Sequence, residues 1–254
     1  MSVSSGEKRA AGGLTATARV IVQALIVALI VRTFLFQAFS IPSGSMEATL
    51  LVGDYLFVST YSYGYSHYSL PFVPFAFSGR ILGSEPNRGD VVVFRLPIDD
   101  QVNYIKRLIG LPGDRIQMVN GQLRINGVAV QREQAEDYID NDEGPYPILV
   151  RRWRETLPNG VSYYTLDRVE NSDYDNTRVY VVPPGHYFMM GDNRDDSNDS
   201  RVPPSRGGAG FVPFENLVGR AQILFFSVGG GTHAWEVWRW PQTVRWNRLL
   251  TLIR

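Results

Sequence analysis

The apolar run over residues 20–38 limits what this chain can fold into more than any other feature of its sequence. Its strongly polar residues are Gln23, Arg32 and Gln37. About 20 residues of helix cross the hydrocarbon core of a bilayer, and an arginine near one end of such a run can extend its charge to the interface. The run therefore predicts one transmembrane helix over residues 19–38.

A cleaved secretory signal is the alternative explanation for an apolar run near the N-terminus. No small-x-small cleavage site precedes polar chain, and the run leads directly into Ser43-Gly44-Ser45. We therefore expect an anchor that stays attached to the chain. Lys8, Arg9 and Arg19 come before the apolar core, so the positive-inside rule predicts a cytoplasmic tail over residues 1–18. The rest of the chain would then lie on the outer face of the cytoplasmic membrane.

Composition excludes several classes of site. The chain has no cysteine, which rules out disulfides, thiol catalysis and zinc–thiolate sites. Its three histidines, His67, His186 and His233, do not have the sequence spacing of metal ligands, so we expect no metal site. The 25 basic and 25 acidic residues balance, and bulk charge therefore does not favour a nucleic-acid partner.

Lysine is almost absent from the chain. Lys8 and Lys106 are the two lysines, and every other basic residue is arginine. Arginine stays protonated, whereas burial lowers the pKa of a lysine until its amine can accept a proton. Lys106 lies in a strand-like run in which alternation places it with Tyr104 and Leu108 and sends Arg107 to the opposite face. An outward-facing lysine is the alternative, but these apolar neighbours favour burial.

Beyond the apolar run the pattern is mainly β. Short segments of β-branched or aromatic residues bounded by turns predict strands over residues 55–59, 90–95, 103–109, 122–125, 163–166, 187–190 and 221–226. Asn126-Gly127 between two apolar segments is a strong hairpin signal. We expect a β core over residues 39–130 and 180–230, with the more polar segment 131–179 as an inserted β subdomain.

The C-terminal segment, residues 231–254, mixes tryptophan with arginine. The members are Trp235, Trp238, Trp240, Trp246, Arg239, Arg245, Arg248 and Arg254. Such mixtures favour the headgroup region of a bilayer, so we expect this segment to contact the lipid interface. Packing of the tryptophans against the domain is the alternative. The loop 70–77, rich in proline and phenylalanine, is a second candidate for lipid contact or a cap on the core.

Two segments carry residues suited to acyl transfer. In Ser43-Gly44-Ser45 the glycine permits a tight turn that presents a serine hydroxyl, while backbone N–H groups face a developing oxyanion. An ordinary polar turn is the alternative. A lysine of lowered pKa beside Ser45 would serve as its base. The polar run 191–201 follows an apolar strand, so its interleaved Asp and Arg residues can lock a loop at the edge of the core by bidentate pairs.

These segments resemble four motifs of bacterial signal peptidase I, the membrane-bound leader peptidase. The matching stretches are Ser43-Gly44-Ser45-Met46-Glu47-Ala48-Thr49-Leu50, Arg88-Gly89-Asp90-Val91-Val92-Val93-Phe94, Tyr104-Ile105-Lys106-Arg107 with Gly110-Leu111-Pro112-Gly113-Asp114, and residues 191–201. Their order and spacing match the family, and the predicted anchor precedes them. The resemblance therefore covers essentially the whole chain.

The resemblance implies a mainly β endopeptidase of the bacterial inner membrane that cleaves signal peptides from exported preproteins without a cofactor. It implies Ser45 as nucleophile and Lys106 as general base, with the Ser45 N–H and the Ser43 hydroxyl forming the oxyanion hole. Ser197 would orient the lysine. Loop support would come from Asp192, Arg194, Asp199 and Arg201. Substrate pockets would draw on Phe39, Ile41, Pro42, Met46, Leu50, Val93, Tyr104 and Ile105, and such pockets suit Ala-x-Ala cleavage sites.

Two departures from the family pattern fall in the site. Ala48 replaces the usual proline, which we expect to loosen the turn after the nucleophile. Asp196 and Asn198 replace the commoner asparagine and small residue, and we expect the Asp196 carboxylate to face solvent. An inward Asp196 would instead raise the pKa of Lys106.

Rival functions come from other classes. A Ser-His-Asp hydrolase would use His186, although that residue is more simply a strand residue. A self-cleaving repressor is disfavoured by the anchor and by the lack of a DNA-binding segment. A non-catalytic membrane scaffold would tolerate loss of Ser45 and Lys106. A related peptidase dedicated to one secretion or conjugation substrate is the alternative nearest to the main hypothesis.

Overall fold

The computed structural model describes residues 6–70, 77–140, 146–229, 231–232 and 234–253, with side chains from residue 16 onward. The predicted mainly β class is confirmed. Helix α1 (Gly6–Ile30) continues as a π-helical turn over Val31–Leu35, and α2 is the short helix Trp240–Thr243. The strands are β1 (Phe36–Ser40), β2 (Asp54–Ser59), β3 (Val91–Leu96), β4 (Asp99–Gly110), β5 (Arg115–Val119), β6 (Gln122–Ile125), β7 (Val128–Ala129), β8 (Gln131–Gln134), β9 (Tyr138–Asp140), β10 (Ile148–Thr156), β11 (Ser162–Asp167), β12 (Tyr180–Val181), β13 (His186–Met190), β14 (Phe211–Pro213), β15 (Leu217–Ser227) and β16 (Thr251–Leu252).

The N-terminal helix is long and apolar enough to cross a membrane by length and composition. Its candidate span, Ala16–Leu35, has a mean hydropathy of 2.0, and none of it is buried against the rest of the protein. The helical segment ends at Leu35, so the predicted end at residue 38 was wrong. Residues 36–38 instead begin β1, which pairs with β2 in antiparallel register from Phe36↔Ser59 to Ser40↔Tyr55. The apolar run therefore contains a helix followed by the start of a strand.

The principal sheet holds the elements that form the site. It has eight strands in the described part of the chain, in the order β1-β2-β15-β3-β4-β13-β14, with β16 paired to β15. β3 and β4 form an antiparallel hairpin in which Val92 lies opposite Lys106. One core cluster packs Ile41, Met46 and Leu50 from the turn after β1 against this sheet. The turn that carries Ser45 is thus anchored by apolar side chains on both sides of the serine.

Two smaller sheets lie beside the principal sheet. The polar segment after residue 130 forms β8, β9, β10 and β11, which pair around β10. The strands β5, β6, β7 and β12 form the other sheet. The predicted hairpin at Asn126-Gly127 is confirmed, because β6 pairs antiparallel with β7 and both turn residues have positive φ, 55° and 83°. The division of the chain into a core and an inserted subdomain stays a prediction.

The C-terminal segment is tied to the principal sheet by its arginines. Arg248 donates from Nη2 to the fully buried Asp54 carboxylate and, at 3.1 Å, to the carbonyl oxygen of Thr49. Trp240 packs on Phe226 with ring centroids 4.9 Å apart. Three other tryptophans, Trp235, Trp238 and Trp246, remain exposed. In the loop 70–77, residues 71–76 lie outside the described residues.

Candidate active site

The turn over residues 43–50, called the nucleophile turn after the role expected of Ser45, follows Pro42 and the buried Ile41. Gly44, Ser45 and Met46 form a single 3₁₀ turn, and Ser45 and Met46 are buried. A Cβ at Gly44 would lie 2.9 Å from a carboxylate oxygen of Glu47, so glycine at this position lets the Glu47 side chain pack closely against the turn. The serine is therefore held by a close-packed turn rather than by a flexible loop.

Lys106 meets Ser45 from the adjacent strand. Its Nζ lies 2.5 Å from the Ser45 Oγ, and both side chains are buried. The amine also lies 5.3 Å from the centroid of the Tyr104 ring. As alternation predicted, Lys106 and Arg107 project to opposite faces of β4. A hydroxyl and an amine at this distance, shielded from water, have the geometry that a nucleophile and its base require.

The environment of Lys106 favours its neutral form. Burial lowers the pKa of the amine from 10.5 to about 8, against the opposing effect of the nearby carboxylates of Asp199, Asp196 and Asp192. Arg201 adds to the lowering. Asp196 itself is exposed, in agreement with the expectation that it faces solvent, yet its charge still acts on the amine. An appreciable fraction of neutral lysine at physiological pH follows from this balance.

Arg107 occupies the other face of β4 and has a very different set of partners. Its Nε and Nη2 donate to the two carboxylate oxygens of Asp192 at 2.8 and 2.7 Å. Thr49 donates to the same carboxylate at 2.6 Å. Burial alone would lower the pKa of the Arg107 guanidinium, but Asp192 raises it above its ordinary value. This pair joins the nucleophile turn, β4 and the loop 191–201.

The loop 191–201 is held by further buried ion pairs. Arg201 contacts Asp199 with Nε and Nη2 at 3.0 and 2.8 Å, and Arg194 contacts Glu155 at 2.8 and 2.5 Å. The N–H of Gly191 donates to Asp199 at 2.9 Å. Burial acts to raise the pKa of Asp199, but Arg201 and the backbone donors lower it below its ordinary range. The four charged residues expected to support the loop therefore all lie in ion pairs.

Ser197 lies beside Ser45 and Lys106, but its hydroxyl does not form a hydrogen bond with the Lys106 amine. Its hydroxyl is buried and has no hydrogen-bond partner among the described residues. A Cβ at Gly191 would collide with this hydroxyl and with the carbonyl oxygen of Ser45. The absence of a side chain at Gly191 thus lets Ser197 approach the nucleophile turn. Orientation of Lys106 by Ser197 stays a prediction.

A cleft of about 430 Å³ opens over Ser45 and Lys106. Its lining residues are Pro42, Ser43, Val102, Asn103, Tyr104, Ile105, Tyr174, Asp195, Asp196, Ser197 and Asn198 in addition to the dyad. Of the eight residues predicted to form substrate pockets, Pro42, Tyr104 and Ile105 line this cleft. Phe39 lines a neighbouring cavity, and Ile41, Met46, Leu50 and Val93 are buried in the core behind the cleft.

Ser43 is exposed at the mouth of the cleft, and its hydroxyl does not cap the 3₁₀ turn. The hydroxyl therefore remains accessible to a bound group. Ala48 has φ of 85°, a value that the proline ring excludes. With alanine at this position the turn adopts a left-handed backbone that the proline of the family pattern cannot adopt.

His186 lies away from the dyad. Its Nδ1 is 2.9 Å from the carbonyl oxygen of Pro184. It lines a separate groove with Arg178 and Arg206, whereas Ser45 lies in the cleft with Lys106. The geometry therefore gives no support to a Ser-His-Asp triad.

Three residues near the nucleophile turn were missed by the sequence analysis. Glu47 and Asn193 lie inside recognised motifs but had no predicted role. Arg168, after β11, contacts both of them and lies in a polar segment without a local pattern. A contact between residues more than a hundred positions apart leaves no periodic signal, so the sequence alone offered no way to find it.

Comparison with known proteins identifies the family to which this chain belongs. Residues 14–226 match the family described as signal peptidase, peptidase S26. A signal peptidase I of Rickettsia typhi is 47% identical over 211 residues, covering 80% of this chain and 76% of the relative. That of Rickettsia conorii is 44% identical over 242 residues, covering 89% and 88%. A solved signal peptidase I from Enterococcus faecalis is 27% identical, covers 54% of this chain and 97% of its own, and has a TM-score of 0.31. Since the family match spans most of the chain and the relatives align over most of their length, the chain belongs to the signal peptidase family of serine peptidases, peptidase S26.

Proposed function

We propose that this protein cleaves N-terminal signal peptides from exported preproteins, with Ser45 as nucleophile and Lys106 as general base. The observation that carries the proposal is the 2.5 Å contact between the Lys106 Nζ and the Ser45 Oγ inside a buried site. Membership of the signal peptidase family supports the choice of substrate. The cleft above the dyad supports cleavage of an extended peptide.

In the proposed acylation step, the neutral amine of Lys106 takes the proton of Ser45 as Oγ attacks the carbonyl carbon of the residue before the cut. The oxyanion that forms is stabilised by the N–H of Ser45 and the hydroxyl of Ser43. The protonated Lys106 then donates its proton to the leaving amine, which frees the mature protein. In deacylation the same amine takes a proton from water, whose oxygen attacks the ester carbonyl carbon; the C–Oγ bond then breaks, Lys106 returns the proton to the Ser45 Oγ, and the signal peptide leaves.

The lowered pKa of Lys106 is what makes this chemistry feasible near neutral pH. At pH 7 a lysine with a pKa of about 8 is neutral in about one molecule in ten, whereas an ordinary lysine is neutral in about one in 2,500. The free-energy cost of reaching the neutral base therefore falls by about 3 kcal/mol. This gain supports Lys106 as the base and requires no third residue such as histidine.

The cleft also suits the short side chains of an Ala-x-Ala site. The dyad lies at its base, and Pro42, Tyr104 and Ile105 form apolar walls close to Ser45. These walls leave limited space beside Ser45, which favours a small side chain next to the scissile bond over a bulky one.

The proposed location is the bacterial inner membrane. The exposed apolar helix supports a single-pass anchor over Ala16–Leu35, and Arg19 at its start supports a cytoplasmic N-terminus. The exposed Trp235, Trp238 and Trp246 support contact of the C-terminal segment with the lipid interface on the outer side. In this orientation the dyad meets a preprotein as it emerges from the membrane.

Cleavage of a purified preprotein in detergent tests the proposal directly. We expect the wild type to cut after an Ala-x-Ala site, Ser45→Ala and Lys106→Met to cut at least about 10³-fold more slowly, and His186→Ala to retain activity. Activity that survives Lys106→Met but is lost in His186→Ala would establish the histidine alternative. A wild type that cuts one secretion substrate and no general preprotein would establish a dedicated peptidase.

A further inference from the structure

The mostly buried guanidinium of Arg168 contacts Glu47 of the nucleophile turn. Arg168 directly follows β11, and its side chain is 12% exposed. Its Nη2 donates to the Glu47 carboxylate at 2.8 Å and to the Asp140 carboxylate at 2.5 Å. Both carboxylates are buried. Since a buried carboxylate is costly without a cationic partner, Arg168 fixes Glu47, which follows the nucleophile by two residues, against the sheet of β8–β11.

Arg168 also contacts Asn193, which in turn binds the nucleophile turn. The Arg168 Nε donates to the Asn193 Oδ1 at 3.3 Å. With its oxygen committed to that donor, the amide of Asn193 must direct its NH₂ group the other way. The Nδ2 indeed donates to the carbonyl oxygen of Gly44 at 3.1 Å, and the backbone N–H of Asn193 donates to the carbonyl oxygen of Ser45 at 3.2 Å.

These contacts set the orientation of the peptide that carries the proposed oxyanion donor. The carbonyl of Gly44 and the N–H of Ser45 belong to one planar trans peptide, so they point in opposite directions. The Gly44 oxygen is held on the inner side by the Glu47 N–H at 2.9 Å and by Asn193. The Ser45 N–H is thereby directed to the opposite side, where the substrate carbonyl oxygen would bind.

We propose that Arg168 is a positioning residue for the oxyanion hole, acting through Glu47 and Asn193 on the Gly44–Ser45 peptide. This inference rests on the proposed cleavage by Ser45 and assigns Arg168 no contact with substrate. Arg168 makes its side-chain contacts with Glu47, Asp140 and Asn193, and the largest influences on the pKa of Lys106 are burial and the charges of Asp199, Asp196, Asp192 and Arg201. Loss of Arg168 should therefore weaken stabilisation of the tetrahedral state without altering the titration of the base.

The test compares the full-length chain with Arg168→Gln, Arg168→Lys and Glu47→Gln in detergent. The control is Arg132→Gln, because Arg132 pairs with Asp167 at 2.8 Å in the same sheet without contacting the nucleophile turn. The measurements are kcat, KM, the pH profile and the affinity of a peptide boronate. In the boronate adduct an Oγ–B bond forms, the serine proton passes to Lys106, and an anionic tetrahedral boron mimics the intermediate.

We expect Arg168→Gln to lower kcat about 10- to 100-fold, less than the loss of a whole oxyanion donor. Boronate affinity should fall by a similar factor, while KM and the midpoint of the pH profile stay unchanged. Arg168→Lys should recover part of the loss, and Arg132→Gln should match the wild type. Glu47→Gln, which keeps the shape of the side chain, carries the test if Arg168→Gln does not fold.

Unchanged kcat in folded Arg168→Gln or Glu47→Gln would overturn the inference. So would a fall in kcat without a fall in boronate affinity, a shifted pH midpoint, or an equal loss in Arg132→Gln. These outcomes are distinct from failure of the proposed function, which would show as an inactive wild type or as activity that survives Ser45→Ala.

Discussion

Lys106 and Arg107 are neighbours on β4 that share burial but not chemistry. Both side chains are removed from water, 4% and 0% exposed respectively. The Lys106 amine lies against the neutral hydroxyl of Ser45, and its pKa is lowered to about 8. The Arg107 guanidinium lies against the Asp192 carboxylate, and its pKa is raised. One face of the strand therefore carries the proposed base and the other a permanent ion pair.

The pKa values of the two side chains shift in opposite directions because only the Arg107 guanidinium is in direct contact with a carboxylate. Burial disfavours the charged form of both cations. On the Arg107 face Asp192 is in direct contact and outweighs that effect. On the Lys106 face carboxylates act without direct contact and only partly offset it, while Arg201, paired with Asp199, opposes them. A strand with period-two alternation can thus hold a reactive lysine one residue from a structural arginine.

Two single substitutions, Lys106→Arg and Arg107→Lys, test the difference between the two residues with the largest expected effect. We expect Lys106→Arg to lower kcat/KM at least about 10³-fold, because a guanidinium does not release its proton near neutral pH. We expect Arg107→Lys to keep most of its activity, since a lysine still carries positive charge to Asp192. Preprotein cleavage by the purified full-length variants gives both values.

Lys106→Met serves as a control for the exchange, since it removes the base without adding a larger charged group. Near-UV circular dichroism identifies variants that have lost the packed site. Activity in a folded Lys106→Arg variant would contradict the assignment of a neutral amine as the base.

Removing the ion pair from the other face should have the largest effect on stability. We expect Arg107→Met to lower the free energy of unfolding by about 3–5 kcal/mol, because it leaves the Asp192 carboxylate buried without its partner. Denaturant unfolding monitored by tryptophan fluorescence gives this value. The matched control is Arg151→Gln, whose pair with Glu170 is mostly exposed and contributes less than about 1 kcal/mol. Equal effects of the two variants would show that the buried pair contributes little.

On the Lys106 face, removal of the buried cation should raise the free energy of unfolding rather than lower it. The folded pKa of Lys106, about 8, lies below its unfolded value near 10.5. The unfolded state therefore binds more protons between these values, and the free energy of unfolding rises with pH from 8 to 10.5. We expect Lys106→Met to stabilise the protein by about 1–3 kcal/mol below pH 8. This gain should disappear above pH 10.5.

Chemical unfolding of the wild type and Lys106→Met at several pH values checks this difference. Ser45→Ala, measured in parallel, accounts for the lost contact between the hydroxyl and the amine. A Lys106→Met variant that is less stable than the wild type at every pH would mean that the buried amine is charged and paired.

Local pattern located seven of the sixteen strands in the described part of the chain and predicted the two faces of β4. Alternation separates Lys106 from Arg107, and Asn126-Gly127 marks a hairpin because both residues tolerate positive φ. The end of the helical segment was mislocated because Phe36, Ala38 and Phe39 continue the apolar residues into β1. The change to a strand after Leu35 coincides with pairing to β2, a tertiary contact that hydropathy does not report.

The charged surroundings of the site were less predictable than its nucleophile and base. Pairs such as Arg168–Glu47 join positions 121 residues apart, and no periodicity in the sequence reports such a contact. The motif of residues 191–201 indicated paired charges but not which partners they choose. Arg194 forms its ion pair with Glu155 in β10 rather than with an aspartate of its own loop.

The smallest expected effect concerns Asp196, whose exposed carboxylate raises the pKa of Lys106. The kcat/KM of the wild type should rise with pH through a midpoint near 8, as the amine loses its proton. Asp196→Asn removes a negative charge that stabilises the ammonium form, so the midpoint should move to lower pH and activity at pH 7 should rise. Because the interaction crosses solvent, the shift should shrink as salt concentration increases.

Asp100→Asn, which removes an exposed carboxylate that does not line the cleft, is the matched control and should leave the midpoint in place. A midpoint that Asp196→Asn does not move would mean that burial and the Asp192 and Asp199 carboxylates alone set the basicity of Lys106.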